Sequence, residues 1–242
     1  MRYRLILACV AICMPALAVA GHDQATDDLS VTKLESLGPL KSMRDYFAQT
    51  SELAFKTSFR ETSDLASLGR SGSAKFYIRR PSSFRVELSS TQGDYVFISD
   101  GATFTIVRPK SGKFSRMSAS DSIIGTMYLA VGLLGSQAKF LDFIWAVEFG
   151  ELHSVTPHGE DTVNGKACDR FAIQRFDQSW DICLDRKPPP LPRKVVSRAL
   201  ASNDRSMQTN EFEWIEPANL APGLFSFVPA PGAREVRPSE LE

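Results

Sequence analysis

The sequence predicts an α+β fold in which runs of consecutive antiparallel strands flank an apolar helical insertion. Three observations predict it. From Ala74 to Arg108, four short runs alternate apolar and polar residues, with turn signals between them. From Asp121 to Val147 the alternation stops, and two apolar helical segments follow. After Gly150 the period of two returns. Period-two alternation marks strands with one buried face, and a helix that is apolar nearly all round is a buried one.

The elements follow in chain order. Arg2 and Arg4 precede an apolar run, Leu5 to Leu17, and Ala18-Val19-Ala20 has the small-x-small pattern of a cleavage site. Residues 1–20 therefore read as a secretory signal peptide. Their apolar run falls short of the ~20 residues that span a bilayer. Leu7-Ala8-Cys9 resembles the start of a lipoprotein cleavage site. Cutting there leaves only Leu5 to Ala8 as apolar core, against the ~7–15 residues a signal needs. Residues 21–35 are polar and carry Asp23, Asp27 and Asp28, the composition of a flexible tail. Gly38-Pro39 opens a helix with proline at its first position, and Leu40, Met43 and Phe47 share one face. That helix ends near Thr50, and Ala54 to Thr62 reads as the first strand. A polar loop follows from Asp64 to Gly72.

In the meander, Phe76 and Ile78, then Phe84, Val86 and Leu88, then Phe104 and Ile106 fall on one face. Pro81-Ser82-Ser83, Gln92-Gly93-Asp94 and Asp100-Gly101 supply the turns. Lys113 to Met117 returns as a short strand after the Pro109–Gly112 turn. The helix from Asp121 to Leu134 can be capped by Ser118 or Ser120 and ended by Gly135. At 1.5 Å per residue it is about 21 Å long, too short to cross a membrane. Gly125 and Gly132 inside it each cost ~1 kcal/mol against alanine and ease its movement. Lys139 to Val147 is the second apolar helical segment. Beyond it, Asn164-Gly165 is a hairpin turn. Cys168 to Arg175 and Trp180 to Asp185 form another hairpin, and Pro188 to Pro192 makes a stiff connection. Arg193 to Leu200 and Met207 to Trp214 are strands joined through Ser202-Asn203-Asp204, and Leu224 to Val228 reads as a last strand.

Composition narrows the function. The 28 basic and 28 acidic residues become 26 and 28 once Arg2 and Arg4 leave with the signal. A mature net charge of −2 has no electrostatic footprint for nucleic acid. Zinc would need His153, His158, Cys168 and Cys183 to converge, and their spacing fits no zinc pattern. Gly69 to Ser73 lacks the Gly-x-Ser-x-Gly spacing of a nucleophile elbow. Asn164-Gly165-Lys166 continues with alanine, so it is a turn and not a phosphate loop. Asp181 and Asp185 fall on the polar side of an alternating strand, near Asp177. No cofactor, metal or catalytic set is expected.

Cys168 and Cys183 are the cysteines left after the signal, and in an oxidising compartment two cysteines often pair. Phe171, Ile173, Ile182 and Leu184 form the apolar face, so both cysteines point to the other. A turn centred on Asp177-Gln178 leaves Cys168 opposite Lys187, about 13 Å along the strand from Cys183. A bulge, or a turn shifted toward Arg175, brings the two within disulfide reach.

Five stretches carry a family resemblance: FYIRRPSSFRVEL from Phe76, DGATFTI from Asp100, VNGKACDRFAIQ from Val163, PPLPRKVV from Pro189 and LFSFVPAPGA from Leu224. Together they resemble a family of predicted periplasmic proteins of unknown function, similar to the LolA-like group of lipoprotein carriers. That group includes mycobacterial lipid carriers and sensory domains of sigma-factor regulators. The resemblance covers Gly38 to Val236. It implies a periplasmic, unclosed antiparallel β-barrel of roughly ten strands, with helices covering its concave face. It gives a domain over 36–236 with a tail over 237–242, and it brings no catalytic residues. Carriers of the group use a cavity arginine to lock a lid; Arg79, Arg80 and Arg85 all stand where barrel arginines occur.

The expected function is non-enzymatic carriage of a hydrophobic, acylated or lipid ligand. Phe76, Ile78, Phe84, Val86, Leu88, Phe104, Ile106, Phe171 and Ile173 would line the sheet side. Ile124, Met127, Tyr128 and Val131 would line the lid side. The alternative is a protein-interaction or stress-sensing module for an envelope partner, with the helices filling the core. Neither reading involves nucleic acid or a transmembrane span.

Overall fold

The computed structural model describes residues 38–62, 69–134, 154–174, 178–200, 206–215 and 218–241, with backbone alone over 131–134. Its helices are α1 (Gly38–Gln49) and α2 (Ile123–Leu134). The first six strands are β1 (Glu52–Thr62), β2 (Arg70–Arg79), β3 (Ser83–Ser90), β4 (Gly93–Asp100), β5 (Thr103–Arg108) and β6 (Lys113–Ser118). After α2 come β7 (Ser154–Val163), β8 (Lys166–Gln174), β9 (Gln178–Asp185), β10 (Pro192–Ala199), β11 (Met207–Trp214) and the short β12 (Arg234–Glu235). The second apolar helical segment, Lys139 to Val147, lies outside the described residues, as does the Ser202-Asn203-Asp204 turn.

All twelve strands form one sheet in the order β12-β6-β5-β4-β3-β2-β1-β11-β10-β9-β8-β7. The count is twelve, where the resemblance implied roughly ten, and β12 and β7 are the two edges. Every pairing is antiparallel except β12 with β6. The chain lays down β1 to β6 outward from the centre. It then passes to the opposite edge and lays down β7 to β11 inward, until β11 pairs with β1. The connection from Ser118 to Ser154 therefore joins β6, beside one edge strand, to β7 at the opposite edge, and α2 is its first described element.

Burial alternates as the pattern requires. On β3, Phe84, Val86 and Leu88 are buried while Arg85 and Glu87 are half-exposed. On α1, Leu40, Met43 and Phe47 are buried, and Lys41 and Asp45 pair on the opposite side. The two-residue hairpin between β7 and β8 places both Asn164 and Gly165 at positive φ, 50° and 73°, as a turn matching the sheet twist demands. Ser122 caps α2 by accepting the Gly125 N–H at 3.1 Å, in place of the expected Ser118 or Ser120. Ser120 is instead drawn to Thr126, whose hydroxyl accepts the Ser120 N–H. A Cβ on Gly125 would stand 2.3 Å from the Ser120 hydroxyl, so this glycine permits a close approach rather than easing movement.

Leu224 to Val228 is not a strand. Pro222–Phe225 is a 3-10 helix instead. Both sides of β11 are already taken by β1 and β10, so the chain beyond it finds no adjoining edge. It crosses the outer face, where Leu220 and Phe225 pack with Ala54 and Tyr77. Phe227 reaches Phe114, and β12 then pairs with the free edge of β6. Leu241 is buried in the main core, so packing continues past Val236, the boundary drawn from the sequence.

The β8–β9 register sets Cys168 opposite Asp185, two residues from Cys183 rather than four. In this register the cysteine Cα atoms are 5.4 Å apart, and Cys168 and Cys183 are bonded. They sit with Val163 on the outer face, apart from Phe171, Ile173, Ile182 and Leu184 in the main core.

Candidate functional site

The helix-covered face of the sheet is one apolar cluster. Phe76 and Ile78 come from β2; Phe84, Val86 and Leu88 from β3; Phe104 and Ile106 from β5; Phe171 and Ile173 from β8. All nine are buried, and all belong to the same cluster. The sheet brings β5 and β8 into this single face although Ile106 and Phe171 stand far apart in sequence. Aromatic packing is densest near the centre. Phe55 stacks on Phe76 at 4.5 Å and lies 4.8 Å from Trp214, which in turn packs on Phe47 of α1 at 5.5 Å. Phe55, Phe212 and Trp214 were absent from the sequence-derived set, although the alternation of β1 and β11 carries them.

The helix side differs from expectation. Met127 is buried against the cluster, together with Ile123 and Ala130. Ile124 and Tyr128 are 42% and 64% exposed, on the side of α2 turned away from the sheet. The Val131 side chain lies outside the described residues. Residues spaced three and four apart share a helix face, so 123, 127 and 130 form one stripe and 124 and 128 another. An all-apolar helix has no amphipathic phase from which to choose between them.

The arginines separate. Arg79 donates to Glu52 at 2.7 Å and to the Leu220 carbonyl at 2.6 Å, and covers the Phe225 ring at 4.8 Å, all on the outer face. Its hydrogen bond holds the Glu52 carboxyl below the usual carboxylate range, against a smaller opposing effect of burial. Arg85 pairs with Glu87 at 2.9 Å. Arg80 is half-buried, and burial lowers its pKa.

The remaining candidates sit on the outer face. His158 is exposed on β7, 3.8 Å from Asp181. Asp181 pairs with Arg170, and Asp185 with Arg193. His153 and Asp177 lie outside the described residues. Among the described residues, no group of three His, Cys, Asp or Glu side chains is placed to hold a metal. No helix among them is long and apolar enough to cross a membrane. Two depressions are lined by described residues. One, of about 400 Å³, crosses the charged outer face of β7 to β11. The other, of about 430 Å³, opens where α1 ends and β1 begins.

The architecture is thus one unclosed antiparallel sheet with α1 and α2 over its apolar face. Residues 39–237 match the family described as "Predicted periplasmic protein (DUF2092)", and the chain belongs to that family of periplasmic proteins. No curated protein sequence is significantly similar to it. Among solved structures, the lipoprotein LppX of Mycobacterium tuberculosis is similar over 76% of this chain and 97% of its own, at 12% identity and a TM-score of 0.50. The LolA superfamily protein NE2245 of Nitrosomonas europaea is similar over 79% and 97%, at 6% identity and a TM-score of 0.41. MucB in the Pseudomonas aeruginosa MucA/MucB complex is similar over 80% of this chain and 61% of that one, at 15% identity and a TM-score of 0.43.

Proposed function

We propose that the chain is a non-enzymatic periplasmic binding protein for a hydrophobic ligand, an acylated or lipid molecule held between the sheet and the helices across it. Its signal peptide is residues 1–20. The observation that carries this reading is the continuity of the inner cluster, which runs from Ile106 on β5 to Ile173 on β8. A face this wide offers an acyl chain apolar contact along its whole length. Phe76, Ile78, Phe84, Val86, Leu88, Phe104, Ile106, Phe171 and Ile173 form the sheet wall, and Met127 reaches it from α2. Each methylene moved out of water contributes ~0.8 kcal/mol. About a dozen methylenes therefore offset the several kcal/mol that ordering a ligand costs. The test is native mass spectrometry of protein purified from the periplasm, with uptake of a fluorescent fatty acid. A bound lipid mass and saturable uptake are the expected results. A homogeneous ligand-free mass without uptake overturns the proposal.

A second reading is supported by the exposed stripe of Ile124, Tyr128 and Leu129 on α2. Apolar side chains grouped on a helix surface suit a protein partner in the envelope. Co-purification of one envelope protein in stoichiometric amount, without lipid, favours it.

A further inference from the structure

The opening at the base of the sheet has walls drawn from both sides of it. Leu53, Trp214 and Tyr46 pack with the inner cluster, while Ala54 and Ala218 belong to the outer one. Leu53 and Ala54 are consecutive on β1, so their side chains point to opposite faces. Both can line one opening only because it lies at the strand's end. Trp214 is a fixed wall. Its Nε1 donates to the Pro192 carbonyl at 2.8 Å, and its ring lies between Phe47 and Phe55. A wall held from three sides keeps its shape without a ligand, which lowers the ordering cost of binding.

Among the described residues the rim is polar and lacks positive charge. It consists of Gln49, Thr50, Ser51 and Glu52. The Thr50 hydroxyl donates to the Tyr46 carbonyl at 2.7 Å, and the Ser51 carbonyl accepts the Arg80 N–H at 2.9 Å. Glu52 is already committed, accepting from Arg79 and from the Leu220 N–H at 3.3 Å. Among the described lining residues there is no lysine, arginine or histidine. A carboxylate or phosphate head entering here gives up water and gains no counter-charge from the described lining residues. A quaternary ammonium finds the Glu52 carboxylate neutralised by Arg79. A hydroxyl or ester head loses less hydration and meets the free amide of Gln49 and the Ser51 hydroxyl.

We infer that this opening takes the head and first methylenes of an uncharged single-chain amphiphile, whose tail continues past Leu53 and Trp214 onto the inner face. The inference rests on the hydrophobic-ligand reading above, and adds to it the class of head group and the place of entry. At ~30 Å³ for each non-hydrogen atom, the opening holds about fourteen. That is a glyceryl ester head and part of a twelve-carbon chain, so the rest of the chain must lie along the cluster.

The test titrates the mature chain with monolaurin, laurate and dodecyltrimethylammonium, each below its micellar concentration. Wild type should bind monolaurin at least about tenfold more tightly than either charged probe, because an unpaired charge loses its hydration. Gln49→Lys places a cation on the exposed last turn of α1, where the helix dipole favours it. It should bring laurate to within about threefold of monolaurin. Ala218→Trp should weaken monolaurin about tenfold or more by filling the opening. Equal binding of laurate and monolaurin by wild type, or preference for the cation, overturns the uncharged head. Unchanged monolaurin affinity in a correctly folded Ala218→Trp overturns the place of entry. Either result leaves the hydrophobic-ligand reading standing, whereas failure of all three probes to bind overturns both. Should Ala218→Trp misfold, the Gln49→Lys selectivity decides alone, and unchanged selectivity overturns the site.

Discussion

Replacing Cys168 and Cys183 together by alanine will lower the melting temperature by about 6–12 °C. The bond joins residues 15 apart in sequence, and a cross-link over a loop of that size is worth about 3 kcal/mol through restriction of the unfolded chain. For a domain of this length, each kcal/mol moves the melting temperature by about 2–4 °C. Alanine is the appropriate replacement, because both sulfurs are buried beside Val163 and a serine hydroxyl would be buried there in an apolar site. The assay is scanning calorimetry of protein exported to the periplasm, with and without reductant. Reduced wild type and the double variant should melt within a few degrees of each other, since the cross-link acts mainly on the unfolded state. A fall below ~2 °C would refute the argument, showing that strand register alone holds the β8–β9 hairpin. Alkylation of both thiols in native, unreduced protein would refute it more directly.

The core, the exposed side of α2, the segment beyond β12 and the acid response give four further predictions. Phe76→Ala removes a fully buried ring stacked on Phe55, and should cost about 3–5 kcal/mol in urea unfolding. Tyr128→Ser, on the exposed side of α2, should change stability by less than ~0.5 kcal/mol. Leu241→Ala should cost about 2–5 kcal/mol, because this side chain is buried in the main core; a cost near zero would mean that the segment beyond β12 packs passively. Glu52 has a folded pKa below its ordinary 4.5, so its pair with Arg79 stabilises the fold above that pH and loses its effect as pH falls through the folded value. Melting temperatures of wild type and Glu52→Gln should therefore differ at pH 7 and converge toward pH 3. A constant difference would assign the effect to packing alone.

Strand positions were legible because their alternation is a local property: Phe84, Val86 and Leu88 declare a face whatever they pack against. Less legible were the features that depend on partners. Leu224 to Val228 alternates like a strand, yet no sheet edge adjoins β11. Cys168 and Cys183 could be paired only by knowing the turn to within one residue. Residues 123–134 declared burial but not phase, so Ile124 and Tyr128 were assigned to the side that Ile123 and Ala130 occupy. The opening at the base of the sheet left no sequence signal. Its residues come from α1, β1, β11 and the short segments that follow α1 and β11, and none of them is unusual in its own element.

The two helices cover the same face but are built differently. α1 is amphipathic: Leu40, Met43 and Phe47 enter the core, while Lys41 and Asp45 face water as a pair. It is a fixed support, tied through Phe47 to Trp214 and Phe55. α2 is pinned at its start, where the Ile123 N–H reaches the Pro81 carbonyl at 3.3 Å and buried Thr126 bonds to Ser120 and Ser122. Past that turn, the described contacts with the sheet are the apolar ones of Met127 and Ala130, and its other side presents Ile124, Tyr128 and Leu129. Apolar contacts carry no directional bonds, so a methylene chain can replace a methionine side chain against the sheet at little net cost. Under the proposed carrier reading, the α1 side supplies a frame and a polar-rimmed entrance, and the α2 side a cover whose contacts an acyl chain would take over.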